Sequence, residues 1–476
     1  MNRVLSNFLY QAVFQVVRIV IPIITIPIVS NAIGPRGIGI YNYTNSITQY
    51  FILFAGLGMG LYGNREVAIH QDNKEELSRI FWELESFSSI CSICMLIIYL
   101  LLSVFLSNSI YLLVQGMSIL AVMFDISWFF MGIEKFRYIS LTNLVVQICT
   151  LLLIVMCIKN ANDTLLYVII QAGGTLAMAL IMWVFIIGKV DIISVKIKNV
   201  FGHFKSIVTF FIPQISIVIY TNLNKTILGL LSGAKAVGYF SNGLQISNVT
   251  IVFISTLDTV LLPKMSKLFF NHDKKQMMII LNKSLHLQLF FSIPIAGGLC
   301  IISDKLVPWF FGNKFLYLEF IIPFLSLLII IIPMGMSISR QYLLPIGHIK
   351  EYNLSVMAGA AISIILNFTM IPWIGIWGAV VGSIVSELFV TITRVKGFMK
   401  ETAFRYDSKK IMVYVFSTII MMIFLKITTN TLPASLLTNL IQIVLGMIVY
   451  FALTNVLGEK LIINILKIII KNGFHT

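Results

Sequence analysis

The strongest constraint on this chain is a recurrence of apolar runs of about 20 residues, parted by short polar segments. A helix of ~20 residues crosses the ~30 Å hydrocarbon core of a bilayer. Inside lipid each backbone N–H and C=O needs a partner, and a helix supplies all of them within one segment. About fourteen spans are predicted, near 4–33, 38–62, 86–106, 109–133, 138–158, 164–188, 206–232, 236–262, 285–303, 317–339, 353–371, 374–393, 411–428 and 436–457. They are numbered here in that order. Only 11% of residues are charged, against ~25% in soluble domains. The expected fold class is therefore an all-α polytopic membrane protein. The net charge of +15 would suit nucleic acid, but the charges sit in loops and at span ends, which excludes that partner.

The same charges set the orientation. With the N-terminus inside, the cytoplasmic segments take 26 Lys and Arg, including Arg65, Lys135, Lys196, Lys264, Arg340, Arg394 and Lys410. The opposite side keeps 6: Arg36, Lys159, Lys235, Lys305, Lys314 and Lys426. Cytoplasmic loops carry the positive excess, so both termini are expected in the cytoplasm. No N-terminal segment reads as a cleavable signal peptide. Cys91, Cys94, Cys149, Cys157 and Cys300 lie within or at the ends of spans and imply no disulfide framework.

Two cations escape this sorting. Arg18 lies in the middle of span one and Lys225 inside span seven. A charge at that depth costs roughly 2.5–3.5 kcal/mol on the insertion scale and marks a candidate functional site.

An internal repeat organises the spans. Gly34-Pro35-Arg36-Gly37-Ile38-Gly39-Ile40-Tyr41-Asn42 matches Gly233-Ala234-Lys235-Ala236-Val237-Gly238-Tyr239-Phe240-Ser241 at an offset of 199. The register holds at Gln15 with Gln214, Ile47 with Ile246 and Arg65 with Lys264. Six spans separate the copies, so both share one orientation. That predicts two six-helix lobes related by a pseudo-two-fold along the membrane normal. The lobes are placed at 1–202 and 203–400; residues 401–476 hold spans thirteen and fourteen and a basic amphipathic tail on the inner membrane surface. The offset pairs Arg18 with Ile217, so the two buried cations are not repeat mates.

Polar faces run along several spans. Asn42, Asn45 and Gln49 share one face of span two, and Ser241, Gln245 and Asn248 repeat the pattern in span eight. Asn143 and Gln147 add a pair in span five, and Asn222 lies one turn from Lys225. Amides donate and accept at once and so suit sugar hydroxyls; interhelical hydrogen bonding is the other reading of the same residues. Asp125, Asp258 and Glu387 are embedded carboxylates, candidates for coupling to a proton or sodium gradient or for counter-ions. Pro22 and Pro27 mark span one as a bending element. Gly375, Gly378, Gly382 and Ser386 in span twelve suit close helix packing. No nucleotide-binding loop or zinc spacing occurs, and the loops are too short for a catalytic domain. No enzyme activity, metal or cofactor is expected.

Several stretches carry a family resemblance. Gly34-Pro35-Arg36-Gly37-Ile38-Gly39-Ile40-Tyr41 is one. Phe54-Ala55-Gly56-Leu57-Gly58 with Tyr62-Gly63-Asn64-Arg65-Glu66 is the second, and Asp125-Ile126-Ser127-Trp128-Phe129-Phe130-Met131-Gly132-Ile133-Glu134-Lys135-Phe136 the third. Together with Leu343-Leu344-Pro345-Ile346-Gly347-His348 and Gly375-Ile376-Trp377-Gly378-Ala379, they resemble bacterial Wzx-type flippases. These belong to the oligosaccharidyl-lipid branch of the superfamily that includes multidrug exporters, with MurJ-type relatives. The resemblance implies alternating access and transfer of undecaprenyl-pyrophosphate-linked repeat units to the outer leaflet, for capsule, O-antigen or exopolysaccharide. It implies that Arg18 receives the pyrophosphate, for which a guanidinium is suited as a two-pronged donor, with Lys225 as a point charge. Membrane lipids, a polysaccharide polymerase and other assembly proteins are the implied partners. A lipid II flippase and a drug/cation antiporter of the same superfamily are the nearest rivals; a membrane glycosyltransferase would need a large outward loop that this chain lacks.

Overall fold

The computed structural model describes residues 2–402 and 404–459, with the side chains of 2–19, Ile212, Pro213 and Ser216 outside the described set. The predicted basic tail falls outside the described residues. A helix occupies each of the fourteen predicted spans, and no strand occurs among the described residues. Among the described residues twelve helices are long and apolar enough to cross a membrane. Spans one and two count once among these, because they run on as one helix, Asn2–Gly56. The helix of span seven is Phe204–Ser232, and its interior carries Asn222, Asn224 and Lys225.

The bend between spans one and two falls at Gly34, not at the prolines. Among the described residues of Asn2–Gly56, Gly34 alone leaves helical backbone angles (φ 66°), while Pro22 and Pro27 stay within the helix. Its repeat mate Gly233 ends span seven at φ 80°. A positive φ of this kind costs glycine least, because it has no Cβ. Five residues further on, the other glycine that both copies share has a different task. A Cβ on Gly39 would stand 1.6 Å from the carbonyl oxygen of Ala234, and one on Gly238 would stand 1.9 Å from that of Pro35. Pro35 and Ala234 are themselves repeat mates, so the two copies meet in a reciprocal contact of bare backbone.

The chain forms two compact units, one reaching to Ser241 and including Ile371–Ile376, the other formed by Asn242–Met370 and the chain from Trp377. Between helices in lipid, packing and hydrogen bonds replace the hydrophobic drive of water-soluble cores. The burial pattern follows: large apolar side chains such as Leu101, Val104, Phe253 and Trp373 are exposed, while Ser46, Thr48, Ser247 and Ser337 are buried. In the first unit Thr48 pairs with Tyr99 at 2.7 Å, and Ser46 with Thr226 at 2.9 Å. Phe81, Trp128, Phe129 and Phe130 form its aromatic core. In the second unit Tyr450 Oη donates to the Phe290 carbonyl at 2.8 Å, tying span fourteen to span nine.

Candidate functional site

Span two carries two polar faces. Thr44 and Thr48 are buried and bonded along one. Asn42, Asn45 and Gln49 are half-buried along the other, with the buried Ser46 at its edge. Asn42 Nδ2 donates to the Ile38 carbonyl at 3.0 Å, and Gln49 Nε2 to Asn45 Oδ1 at 3.4 Å. Thr226 of span seven takes Ser46 at 2.9 Å and Tyr50 at 3.1 Å, which seats the turn bearing Lys225 against span two. Lys225 is half-buried, and Asn222 beside it donates to the Val218 carbonyl at 3.0 Å. The Arg18 side chain lies outside the described residues.

A cleft of about 460 Å³ opens next to this strip in the first unit. Gln49, Ser88, Asp125, Trp128 and Gln214 line it with Val218. Two local breaks shape it. Leu57 and Gly58, both at positive φ, interrupt the helix after Gly56. Asp125 Oδ1 then accepts from the Ser127 backbone N–H at 2.9 Å and starts the short helix Ser127–Gly132. That turn leaves the Asp125 carboxylate exposed at the cleft. Trp128 lies over Gly63, where a Cβ would come 2.7 Å from the indole, and Gly132 lies over Val67. Two of the stretches that carry the family resemblance therefore pack on each other, and they present Asp125 to the cleft.

The remaining predicted residues are spread out. Asn143 is buried and donates to its own helix at the Ile139 carbonyl (3.1 Å), which is the bland structural role; Gln147 is half-buried. In the second unit Gln245 is half-buried, Asn248 exposed and Glu387 half-buried. Asp258 is fully buried and takes hydrogen bonds from Gln288, Ser337 and Gln341. Sequence reasoning missed these partners, which lie 30, 79 and 83 residues along the chain. It also missed a chain of three in the first unit: Glu83 stands 3.0 Å from His203 Nε2, and Tyr62 stands 2.8 Å from Nδ1. Glu85, one helical turn before the cleft residue Ser88, is buried. An acidic residue two positions from another near a span end reads as loop charge, and only the burial shows otherwise.

The model of a family described as "Polysaccharide biosynthesis protein" matches residues 4–269. A putative O-antigen transporter of Escherichia coli K12 is 22% identical over 399 residues, 81% of this chain and 94% of that protein. Among solved structures, a lipid II flippase MurJ in an inward closed conformation superposes with a TM-score of 0.77 at 17% identity, over 96% of this chain and 100% of that one. An inward-facing multidrug resistance MATE family transporter of the MOP superfamily gives 0.64 at 13% identity, over 80% of this chain and 94% of that one.

Proposed function

From the premise that the chain belongs to the polysaccharide biosynthesis protein family, we propose that it is a flippase for undecaprenyl-pyrophosphate-linked oligosaccharide repeat units. It works in the bacterial cytoplasmic membrane with both termini inside, and moves its substrate from the inner to the outer leaflet for capsule, O-antigen or exopolysaccharide assembly. The observation that carries this reading is the alignment with the O-antigen transporter over 94% of that protein's length. It acts as a transporter and not as an enzyme.

The lobes are 1–202 and 203–400, and their alternating access exposes one cavity to each leaflet in turn. Arg18 and Lys225 receive the pyrophosphate, whose charge must cross a region of low dielectric. Asn42, Asn45, Gln49, Asn143, Gln147, Asn222, Gln245 and Asn248 are the candidates for sugar contacts. The half-buried amide strip of span two, with the Lys225 turn held against it, favours the first of these. The cleft at Gln49 and Gln214 extends that polar surface. In the second unit an apolar groove of about 460 Å³, lined by Phe253, Pro294, Met421, Met447 and Phe451, suits the prenyl chain. Asp125, Asp258 and Glu387 are the candidates for ion coupling.

The test is complementation of a strain lacking its own repeat-unit flippase. The wild-type chain restores surface glycan, whereas Arg18→Ala and Lys225→Met reach the membrane in normal amount and leave lipid-linked glycan inside. Normal export by both variants would remove the cationic route. Rescue of a strain lacking its lipid II flippase, without rescue of glycan export, would transfer the assignment to the peptidoglycan precursor.

A further inference from the structure

The cleft of the first unit holds a charge that its own structure does not need. Asp125 Oδ1 accepts the Ser127 N–H at 2.9 Å, which starts the short helix Ser127–Gly132. Asparagine closes such a turn equally well through its amide oxygen. The negative charge therefore serves something other than the turn. Asp125 is exposed at the cleft, and among the described residues no Lys, Arg or His lines it. Nor does Asp125 form an ion pair among the described residues.

A second carboxylate lies behind the same wall. Glu85 is one helical turn before Ser88, which lines the cleft. Glu85 is 4% exposed, and its Oε2 has no hydrogen-bond partner among the described residues. It is close enough to Asp125 for the two charges to repel. Carboxylates in a wall of low dielectric are costly without a countercharge, so the cleft is short of positive charge. Trp128 presents the opposite need. It lines the cleft at 2% exposure, and its indole N–H has no acceptor among the described residues. Its Cγ, Cδ2 and Cε3 atoms lie over Gly63, which leaves Nε1 on the far edge of the ring.

The unserved groups define the ligand. A metal ion answers only the carboxylates, and no cluster of three or more His, Cys, Asp or Glu able to hold one occurs among the described residues. A hydroxylated organic cation answers both needs: its ammonium donates to the carboxylate, and its hydroxyl oxygen accepts the indole N–H. The cleft volume of about 460 Å³ lies in the range of small-molecule sites. Gln49, Gln214 and Ser88 add lining groups that both donate and accept. Gln214, Val218 and Lys225 follow at steps of four and seven residues, which is one face of span seven. Lys225 therefore lies about 10 Å beyond Val218 along the helix. One wall offers a carboxylate for an ammonium and, further on, a cation for a phosphate.

We propose that the cleft binds a protonated amino sugar. Asp125 holds the ammonium, Glu85 reinforces the negative field behind it, and Gln49, Gln214 and Ser88 take the ring hydroxyls. The repeat unit then contains a sugar with a free amine, not one whose nitrogen is acetylated. That the sugar belongs to an exported glycan rests on the transport reading given above; the choice of an ammonium by the cleft does not.

The experiment is titration calorimetry of the full chain in lipid nanodiscs, at slightly acidic pH. The probes are chitosan tetrasaccharide, whose amines are free and protonated, and its fully N-acetylated counterpart. The wild type should bind the amine form about tenfold more tightly, a difference of ~1.4 kcal/mol. Asp125→Asn, which keeps the turn, should bind both alike. Equal binding by the wild type, or a preference that survives in Asp125→Asn, overturns the site. Heat from sodium ions with none from the amine form makes the occupant an inorganic cation and overturns it too. In cells lacking their own flippase, the readout is export of an amine-bearing repeat unit relative to the same unit acetylated. Asp125→Asn should lower that ratio about tenfold. A loss of export that leaves the ratio unchanged is the mark of ion coupling and overturns amine recognition. If the wild type exports neither unit, the transport reading falls, and the calorimetry alone decides what the cleft binds.

Discussion

Trp128 fits where it does because the residue beneath it is Gly63. A Cβ there would sit 2.7–2.8 Å from the indole, so Gly63→Ala must push apart a packed aromatic core. Overpacking of this kind costs about 1–3 kcal/mol, read as a lower melting temperature in detergent. Gly60, three residues earlier with nothing within 4 Å of its Cβ position, is the control: Gly60→Ala should leave the melting temperature unchanged or raise it. Asp125 separates structure from function in the same way. Asp125→Asn keeps an oxygen for the Ser127 N–H, so it should fold as the wild type while altering how export depends on the ion gradient. Asp125→Ala also loses the turn's hydrogen bond, worth about 1 kcal/mol. Unchanged export dependence in Asp125→Asn would remove this carboxylate from coupling. At this scale the sequence showed which residues recur together but not why. The resemblance motif is mostly a packing unit, and its cause is a tryptophan meeting a glycine more than 60 residues away in the chain.

At the scale of elements, the repeat was legible and its mechanics were not. Glycines at a constant offset could be counted, but the sequence could not tell the bend at Gly34 and Gly233 from the close approach at Gly39 and Gly238. The prolines of span one drew attention because each removes a backbone hydrogen bond; the helix nonetheless continues through Pro22 and Pro27 and turns at Gly34. The reciprocal contact gives a sharp prediction. Gly39→Ala and Gly238→Ala each drive a methyl into a carbonyl oxygen, and backbone has no rotamer by which to yield. Each should cost more than 3 kcal/mol, in the exceptional tail of single substitutions. Because both insert into one contact, the double variant should lose less than the sum of the singles. Strict additivity in melting experiments would show that the two contacts open independently.

For the whole molecule, the spans were readable because each satisfies its own backbone and its apolarity is a local property of about 20 residues. What holds the spans together was not readable, since hydroxyls and amides such as Thr48, Ser337 and Gln288 find partners on other helices that no spacing rule pairs. Orientation is the global property the sequence states most firmly, through 26 cations against 6. It can be tested on a chain whose five native cysteines are replaced. One cysteine is placed at Asn162, between spans five and six, and in a second chain at Ser194, between spans six and seven; both positions are exposed. In cells stripped to the inner membrane, a membrane-impermeant maleimide should label Asn162→Cys at once and Ser194→Cys only after permeabilisation. The positive-inside rule acts through the short loops flanking each span, and Lys189, Lys196 and Lys198 surround Ser194 whereas Lys159 alone neighbours Asn162. The reverse labelling would invert the molecule, and with it the direction in which Arg18 and Lys225 would pass an anion.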